Sequence, residues 1–175
     1  MANTTGKKIK DVAIIGGCAS LIYLTIGDIS YRLSLSRGGL NSKLITDMVA
    51  KSAAKKPKNE YKEKLDSMID DGADWFMHQD TEKIIIEKKH RQSLYADLIR
   101  PDKPSNVYII CIHGYTSSPA NMGIYAKKYH ELGYNVLLPS LRGHGDSEQD
   151  FITMGWNDRL DVIEWINYIA ERHPE

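Results

Sequence analysis

The segment Val107–Pro119 reads VYIICIHGYTSSP, an apolar run that ends in a His-Gly turn. A second apolar run, Val136–Pro139, leads into Leu141–Ser147, which reads LRGHGDS. Short apolar runs bounded by glycine-bearing turns are typical of buried β-strands, and an amphipathic segment follows each of these two. The pattern therefore predicts an α/β fold in which parallel strands alternate with helices.

The rest of the chain predicts the elements that surround these two strands. Apolar residues at helical spacing predict helices over Glu60–Met77, Asn121–Leu132 and Trp156–Arg172, and a short helix is expected at Lys43–Lys51. Two β-type segments separated by a polar bend, Lys83–Lys88 and Ser93–Arg100, predict an antiparallel hairpin that opens the sheet.

The composition limits the partners of this chain. Lys plus Arg number 23 and Asp plus Glu number 23, so no net field attracts nucleic acid. No spacing of His, Cys, Asp and Glu indicates a metal, and no glycine-rich phosphate loop is present. We therefore expect neither a metal nor an organic cofactor. Cys18 and Cys111 lie in different settings, and no disulfide is expected between them.

The N-terminal region contains sixteen uncharged residues, Val12–Gly27, preceded by a cluster of lysines. A bilayer core requires about 20 apolar residues, with a lower limit near 17, which the run reaches if Ile29 and Tyr31 are admitted. The sequence predicts a cytoplasmic N-terminus (1–11), a single-pass transmembrane anchor (12–31), an extracytoplasmic stem with a helical lead-in (32–80) and a domain (81–175). A cleaved signal peptide, a lipoprotein signal and a core helix are the alternatives.

The His-Gly turn has two chemical interpretations. A strand that ends in glycine can turn sharply above the sheet, so that the next backbone N–H, that of Tyr115, points into a pocket. Such donors stabilise the oxyanion that develops during acyl transfer. His113 can equally be a hydrogen-bonded structural residue in a connection from strand to helix.

Taken together, the two turns and Gly155-Trp156 resemble the serine α/β hydrolases, in particular bacterial esterases, lipases and peptidase-like proteins, some of them membrane-anchored. The resemblance covers about Thr81 to Glu175. It implies the N-terminal half of an α/β-hydrolase sheet, with the Tyr115 N–H as the first oxyanion-hole donor and with His113 and Gly114 shaping its loop. It also implies that Arg142, Gly143, His144 and Gly145 form the floor of the active site. Many relatives carry an acidic residue where this chain has Ser140.

The same resemblance places the catalytic nucleophile elsewhere. No Gly-x-Ser-x-Gly occurs in the 175 residues, and in the family the acid and the histidine follow the serine. Gly145-Asp146-Ser147 and Ser52-Ala53-Ala54-Lys55 match other nucleophile motifs only by chance. We therefore expect the nucleophile, acid and base beyond Glu175, so that this chain alone is inactive.

The expected function is the front half of a membrane-anchored serine hydrolase of carboxylic esters or peptides. The alternatives are a non-catalytic remnant, a membrane-tethered binding module and a small domain that binds a ligand at the His113 loop. The resemblance implies that the strand before His-Gly lies between the Val136–Pro139 strand and the nucleophile strand. Without a nucleophile strand, the strand before His-Gly becomes an exposed edge of the sheet. We therefore expect this chain, expressed alone without the anchor, to be insoluble or molten.

Overall fold

The computed structural model describes residues 3–37, 47–48, 51–52, 59–88 and 93–172. Its elements, in chain order, are α1 (Asn3–Leu35), α2 (Glu60–Met77), β1 (Glu82–Ile86), β2 (Leu94–Ile99), β3 (Tyr108–Ile110), a 3-10 turn (Pro119–Met122), α3 (Gly123–Glu131), β4 (Asn135–Ser140) and α4 (Asp158–Arg172). The helix expected at Lys43–Lys51 lies largely outside the described residues.

The described strands form one sheet in the order β1-β2-β4-β3. β1 pairs with β2 and β2 with β4 in antiparallel fashion, whereas β3 runs parallel to β4 with Ile109 opposite Val136. The predicted hairpin followed by parallel strands is therefore confirmed. Among the described residues β3 lies at the edge of the sheet, and the flanking Val107 and Ile112 are exposed.

Helices cover both faces of the sheet. Side chains along β4 alternate between the faces: Val136 and Leu138 pack with residues of α2 and α3, and Leu137 packs with Trp165 of α4. β4 is buried along its whole length, as is typical of a strand covered on both faces. The result is an α/β architecture in which the carboxyl ends of β3 and β4 meet at one end of the sheet.

Helix α2 begins and ends where the sequence predicts. Asn59 caps it, because its side-chain oxygen accepts the N–H of Tyr61 at 3.0 Å and that of Lys62 at 3.4 Å. Gly72 lies directly against Gly123 at the start of α3, and a Cβ on either glycine would collide with the backbone of the other helix. These two glycines therefore allow α2 and α3 to approach closely.

Two other predicted elements differ at their N-terminal ends. The helix predicted from Asn121 begins as the 3-10 turn, which has Pro119 in its first turn, and α3 starts at Gly123. The helix predicted from Trp156 starts at Asp158. The Asp158 carboxylate accepts the Gly155 N–H at 2.7 Å and so holds the preceding residues in a turn.

Helix α1 contains the segment that was predicted to anchor the chain. It runs from Asn3 to Leu35 and exposes apolar side chains from Leu21 to Tyr31. No helix in the described part of the chain has the length and apolar character needed to cross a bilayer. The predicted transmembrane helix at 12–31 is therefore not supported, because the uncharged run is shorter than a bilayer requires.

Candidate active site

The loop that follows β3 is held by the side chain of His113. This residue is buried, and its Nε2 accepts the Leu141 N–H at 3.1 Å while its Nδ1 lies 3.0 Å from the Gly114 carbonyl oxygen. Because Nε2 accepts, Nδ1 carries the proton and donates. Burial lowers the pKa of His113, which favours this neutral form. His113 thus ties the loop after β3 to the loop after β4.

His144 makes the reciprocal connection. Its Nε2 accepts the Thr116 N–H at 3.2 Å, and its Nδ1 donates to the Arg142 carbonyl oxygen at 2.9 Å. The His113 and His144 rings contact edge to face, with centroids 4.9 Å apart. Both imidazoles therefore use both ring nitrogens in holding the two loops together, and neither is free to act as a catalytic base.

Along the chain, Tyr115 lies between His113 and Thr116, the two residues through which the loop after β3 is tied to the loop after β4. Thr116, the next residue, has φ of +57°, a conformation that β-branched residues rarely adopt and that tertiary contacts must maintain. Among the described residues, no acceptor is recorded for the Tyr115 N–H. The resemblance assigns the first oxyanion-hole donor to this N–H, and that role stays a prediction.

The turn after β4 is close-packed against neighbouring backbone. Gly143 has φ of +73°, and a Cβ there would lie 2.8 Å from the Ile152 nitrogen. The Gly143 N–H donates to Ser147 Oγ at 3.1 Å, and that hydroxyl donates to Gln149 Oε1 at 2.6 Å. Ser147 is therefore a buried structural residue. At Gly145, a Cβ would lie 2.7 Å from Ser140 Oγ, so the small Ser140 side chain fits this turn.

A buried ion pair joins this turn to α4. Arg142 donates to Asp161 through Nε at 2.6 Å and through a terminal nitrogen at 2.8 Å. The hydrogen bonds with Asp161 raise the pKa of Arg142. The sequence had identified Arg142 as part of the floor loop but had missed Asp161, whose position near the start of a helix indicated only a favourable interaction with the helix dipole.

The two loops and α4 line an open cavity of about 440 Å³. The cavity is mainly apolar, and its walls include Ile112, Tyr115, Ile152, Met154 and Val162, with Asp158 and Arg159 on the side of α4. No group of His, Cys, Asp and Glu among the described residues is arranged to hold a metal ion. Chemically, the cavity can accommodate an apolar group next to Tyr115.

The chain is similar to known esterases and lipases. It is 28% identical over 92 residues to a thermostable monoacylglycerol lipase of Bacillus sp. (strain H-257), a match that covers 39% of this chain and 37% of the lipase. An esterase of Pyrococcus furiosus is 25% identical and covers 57% of this chain in each of two crystal forms. In one form the TM-score is 0.50 with 39% of the esterase covered, and in the other it is 0.49 with 38% covered.

No protein-family model matches the chain. The chain spans well under half the length of the relatives that it matches. The resemblance to α/β hydrolases of the esterase and lipase kind, drawn from the two turns, is confirmed for this part of the fold.

Proposed function

We propose that these residues form the oxyanion side of an α/β hydrolase that cleaves carboxylic esters through an acyl-enzyme on a serine. The serine, its base and its acid are contributed from outside the 175 residues, which contain no Gly-x-Ser-x-Gly. The observation that carries the proposal is that Tyr115 lines an apolar cavity while its N–H has no acceptor among the described residues.

The loop that carries the Tyr115 N–H is preorganised. A donor stabilises a developing oxyanion best when no reorganisation is needed during the reaction. Here His113 and His144 tie the donor loop to the loop after β4, at 3.1 Å and 3.2 Å respectively. The Tyr115 N–H is therefore held in place before any substrate binds.

Attack by the serine on the ester carbonyl would place the negative charge of the tetrahedral intermediate next to this N–H. Collapse of that intermediate expels the alcohol and leaves the acyl-enzyme, which water then hydrolyses to the acid. In the family, the second oxyanion donor follows the nucleophile. The exposed edge of β3 supports the proposal, because a strand that carries the serine could pair there.

The walls of the cavity favour an ester over a peptide. Ile112, Ile152, Met154 and Val162 offer apolar surface to an acyl chain. The relatives named as a monoacylglycerol lipase and an esterase point in the same direction. We therefore propose an ester with an apolar acyl chain as the substrate and treat an amide as the less favoured alternative.

The test uses the native gene product purified from its own host. Intact mass is measured first, followed by labelling with a fluorophosphonate probe and hydrolysis of p-nitrophenyl butyrate. The proposal expects a labelled serine outside these 175 residues and measurable hydrolysis. A product of 19.8 kDa, the mass of this chain, that takes up no probe would contradict it.

A non-catalytic binding module is the second candidate function. It is favoured by the use of Ser147, His113 and His144 in structural hydrogen bonds. Under this alternative the native product binds apolar ligands in the cavity but takes up no fluorophosphonate. The same labelling experiment therefore separates the two candidates.

Membrane attachment through α1 is a separate proposal. Leu21, Ile22, Leu24 and Ile26 each expose more than half of their surface. Contiguous exposed apolar surface is typical of interaction sites, and we propose that a lipid surface covers it without being crossed. Flotation with phosphatidylcholine vesicles should be lost on replacing Ile22 and Leu24 by Ser and kept in Leu132→Ser, an exposed site directly after α3. Equal flotation of all variants would contradict attachment through α1. An extracytoplasmic location stays a prediction.

A further inference from the structure

The end of α1 runs across the loops of the candidate active site. The Leu35 carbonyl oxygen accepts the Ile152 N–H at 2.8 Å, and the Arg37 N–H donates to the Asp150 carbonyl oxygen at 2.9 Å. Between these two hydrogen bonds, Ser36 and Phe151 form an antiparallel bridge. A short piece of β-ladder thus fixes the chain at 34–37, here named the strap, against the segment that contributes Ile152 to the cavity.

The Arg37 side chain extends this attachment to the turn after β4. Its guanidinium donates to the Ser147 carbonyl oxygen at 2.6 Å and, through the other terminal nitrogen, to the Gly145 carbonyl oxygen. A guanidinium can hold two carbonyls at once because its donors are fixed in a planar fork, whereas a lysine offers a single flexible ammonium. Arg37 therefore stabilises one particular shape of the turn that contains Gly143 and His144.

The strap also contacts the proposed oxyanion loop directly. The Tyr115 hydroxyl donates to the Ser34 carbonyl oxygen at 2.6 Å. The Tyr115 side chain is 46% exposed, so the protein interior does not by itself fix its position. One turn earlier in α1, the Tyr31 ring contacts the Phe151 ring with centroids 5.5 Å apart. Tyr115 is thus held from two sides, by the strap and by the histidine ties.

We propose that the strap is a positioning element of the site, to which the Arg37 side chain and the Tyr115 hydroxyl add side-chain attachments beyond the backbone ladder. By holding both loops, it keeps the Tyr115 N–H aligned and the Ile152 wall of the cavity in place. Arg37 acts through these loops and is a positioning residue. The catalytic consequence rests on the proposed function, whereas the effect on the loops does not.

Hydrogen exchange on the native gene product tests the effect on the loops. Three variants weaken the strap in different ways: Arg37→Ala removes both side-chain bonds, Arg37→Lys keeps a single donor, and Tyr115→Phe removes only the bond to Ser34. Arg32→Ala is the matched control, because Arg32 lies in the last turn of α1, close to the strap, and pairs only with the exposed Asp28, at 2.9 Å, in the ion pairs of the described residues. Local openings are reported separately from global unfolding, for which peptides of β4 serve as the reference.

In Arg37→Ala we expect peptides covering 143–152 and 113–117 to exchange about tenfold faster, because hydrogen bonds from a charged group are lost. Arg37→Lys should give a smaller increase, and Tyr115→Phe should accelerate only 113–117. Peptides of β4 and all peptides of Arg32→Ala should exchange as in the wild type. Unchanged exchange in both Arg37→Ala and Tyr115→Phe would overturn the proposal. So would equal acceleration of β4, since the strap would then act only on global stability.

Kinetics test the catalytic consequence. With p-nitrophenyl butyrate, kcat per fluorophosphonate-titrated site should fall about tenfold in Arg37→Ala, recover in part in Arg37→Lys and stay unchanged in Arg32→Ala. A purely structural role would reduce the number of titrated sites and leave kcat per site intact, and that result would overturn the positioning role. If the wild type neither labels nor hydrolyses ester while exchange behaves as expected, the proposed function fails and the strap stands.

Discussion

Replacement of Asp161 by Asn tests whether the Arg142–Asp161 ion pair holds the floor of the site. The substitution keeps the size of the side chain and removes its charge. Arg142 Nε lies 2.6 Å from Asp161 Oδ2, and the two side chains are only 14% and 6% exposed. The variant would therefore leave a largely buried guanidinium without its counter-charge.

The magnitude follows from that burial. Breaking a buried pair by removing one partner costs about 3–5 kcal/mol, and an amide that retains one acceptor oxygen should bring the cost to the lower end, about 3 kcal/mol. The free energy of unfolding of a typical domain is about 5–15 kcal/mol, so this loss is a large fraction of the total. The cavity should also loosen, because Asp161 joins α4 to the turn after β4.

Urea unfolding at pH 7, followed by circular dichroism, measures the loss. Glu131→Gln is the control, because its partner Lys128 lies 3.5 Å away in a pair that is 72% and 51% exposed. Exposed pairs contribute about 0–1 kcal/mol, so the control should barely shift the midpoint. If Asp161→Asn lowered the free energy of unfolding by no more than Glu131→Gln does, the structural role assigned to the pair would be wrong.

Three further predictions concern packing and titration. Gly72→Ala should lower the free energy of unfolding by about 1–3 kcal/mol, because the added Cβ collides with the Ile124 backbone. Gly27→Ala is the control and should not lower it, because a Cβ at that position meets no atom within 4 Å. A Gly72→Ala variant that melts above the wild type would contradict this prediction. Burial lowers the pKa of His113. The hydrogen bond to the Gly114 carbonyl oxygen and nearby Asp158 oppose this shift, whereas nearby His144 adds to it. As the pH falls, the unfolded chain therefore binds a proton at His113 before the folded chain does. The contribution of His113 to stability is therefore complete above about pH 6.5 and is lost as the pH falls from there through the folded pKa. Urea midpoints should depend less on pH between 7 and 5 in His113→Ala, and an unchanged dependence would refute this. Burial raises the pKa of Cys111 to about 11, so native protein at pH 8 should react with iodoacetamide at Cys111 far more slowly than protein in urea, as peptide mapping would show.

Local patterns were sufficient for most of the framework. The apolar runs that precede His113 and Leu141 predicted β3 and β4, and α2 has the bounds expected from its periodicity. These elements could be predicted because strand and helix periods depend on which face of a short segment is buried. The resemblance of the two turns added the neighbouring positions of β3 and β4, which the parallel pairing confirms.

Two features, one in the candidate site and one in the packing of α2 against α3, could not be predicted in this way. The contact of His113 with the Leu141 N–H, 28 positions away, could be seen only in the folded structure, and the part of His113 in an oxyanion loop stays a prediction. The contact between Gly72 and Gly123 had no sequence signal that distinguished it from other glycines in helices. Both depend on which segments pack together, and periodicity within a single segment carries no information on that.

The strands, the main helices and the two glycine-bearing turns could be derived from the amino-acid sequence alone, because backbone sterics and side-chain periodicity act within a few residues. The long-range contacts could be seen only in the folded chain: both histidines tie the two loops together, Arg142 pairs with Asp161, and Arg37 reaches the turn after β4. In each of these contacts a polar group meets a partner from a distant part of the chain. Buried donors and acceptors must be paired, and folding selects their partners from whatever the packed elements bring within hydrogen-bond distance.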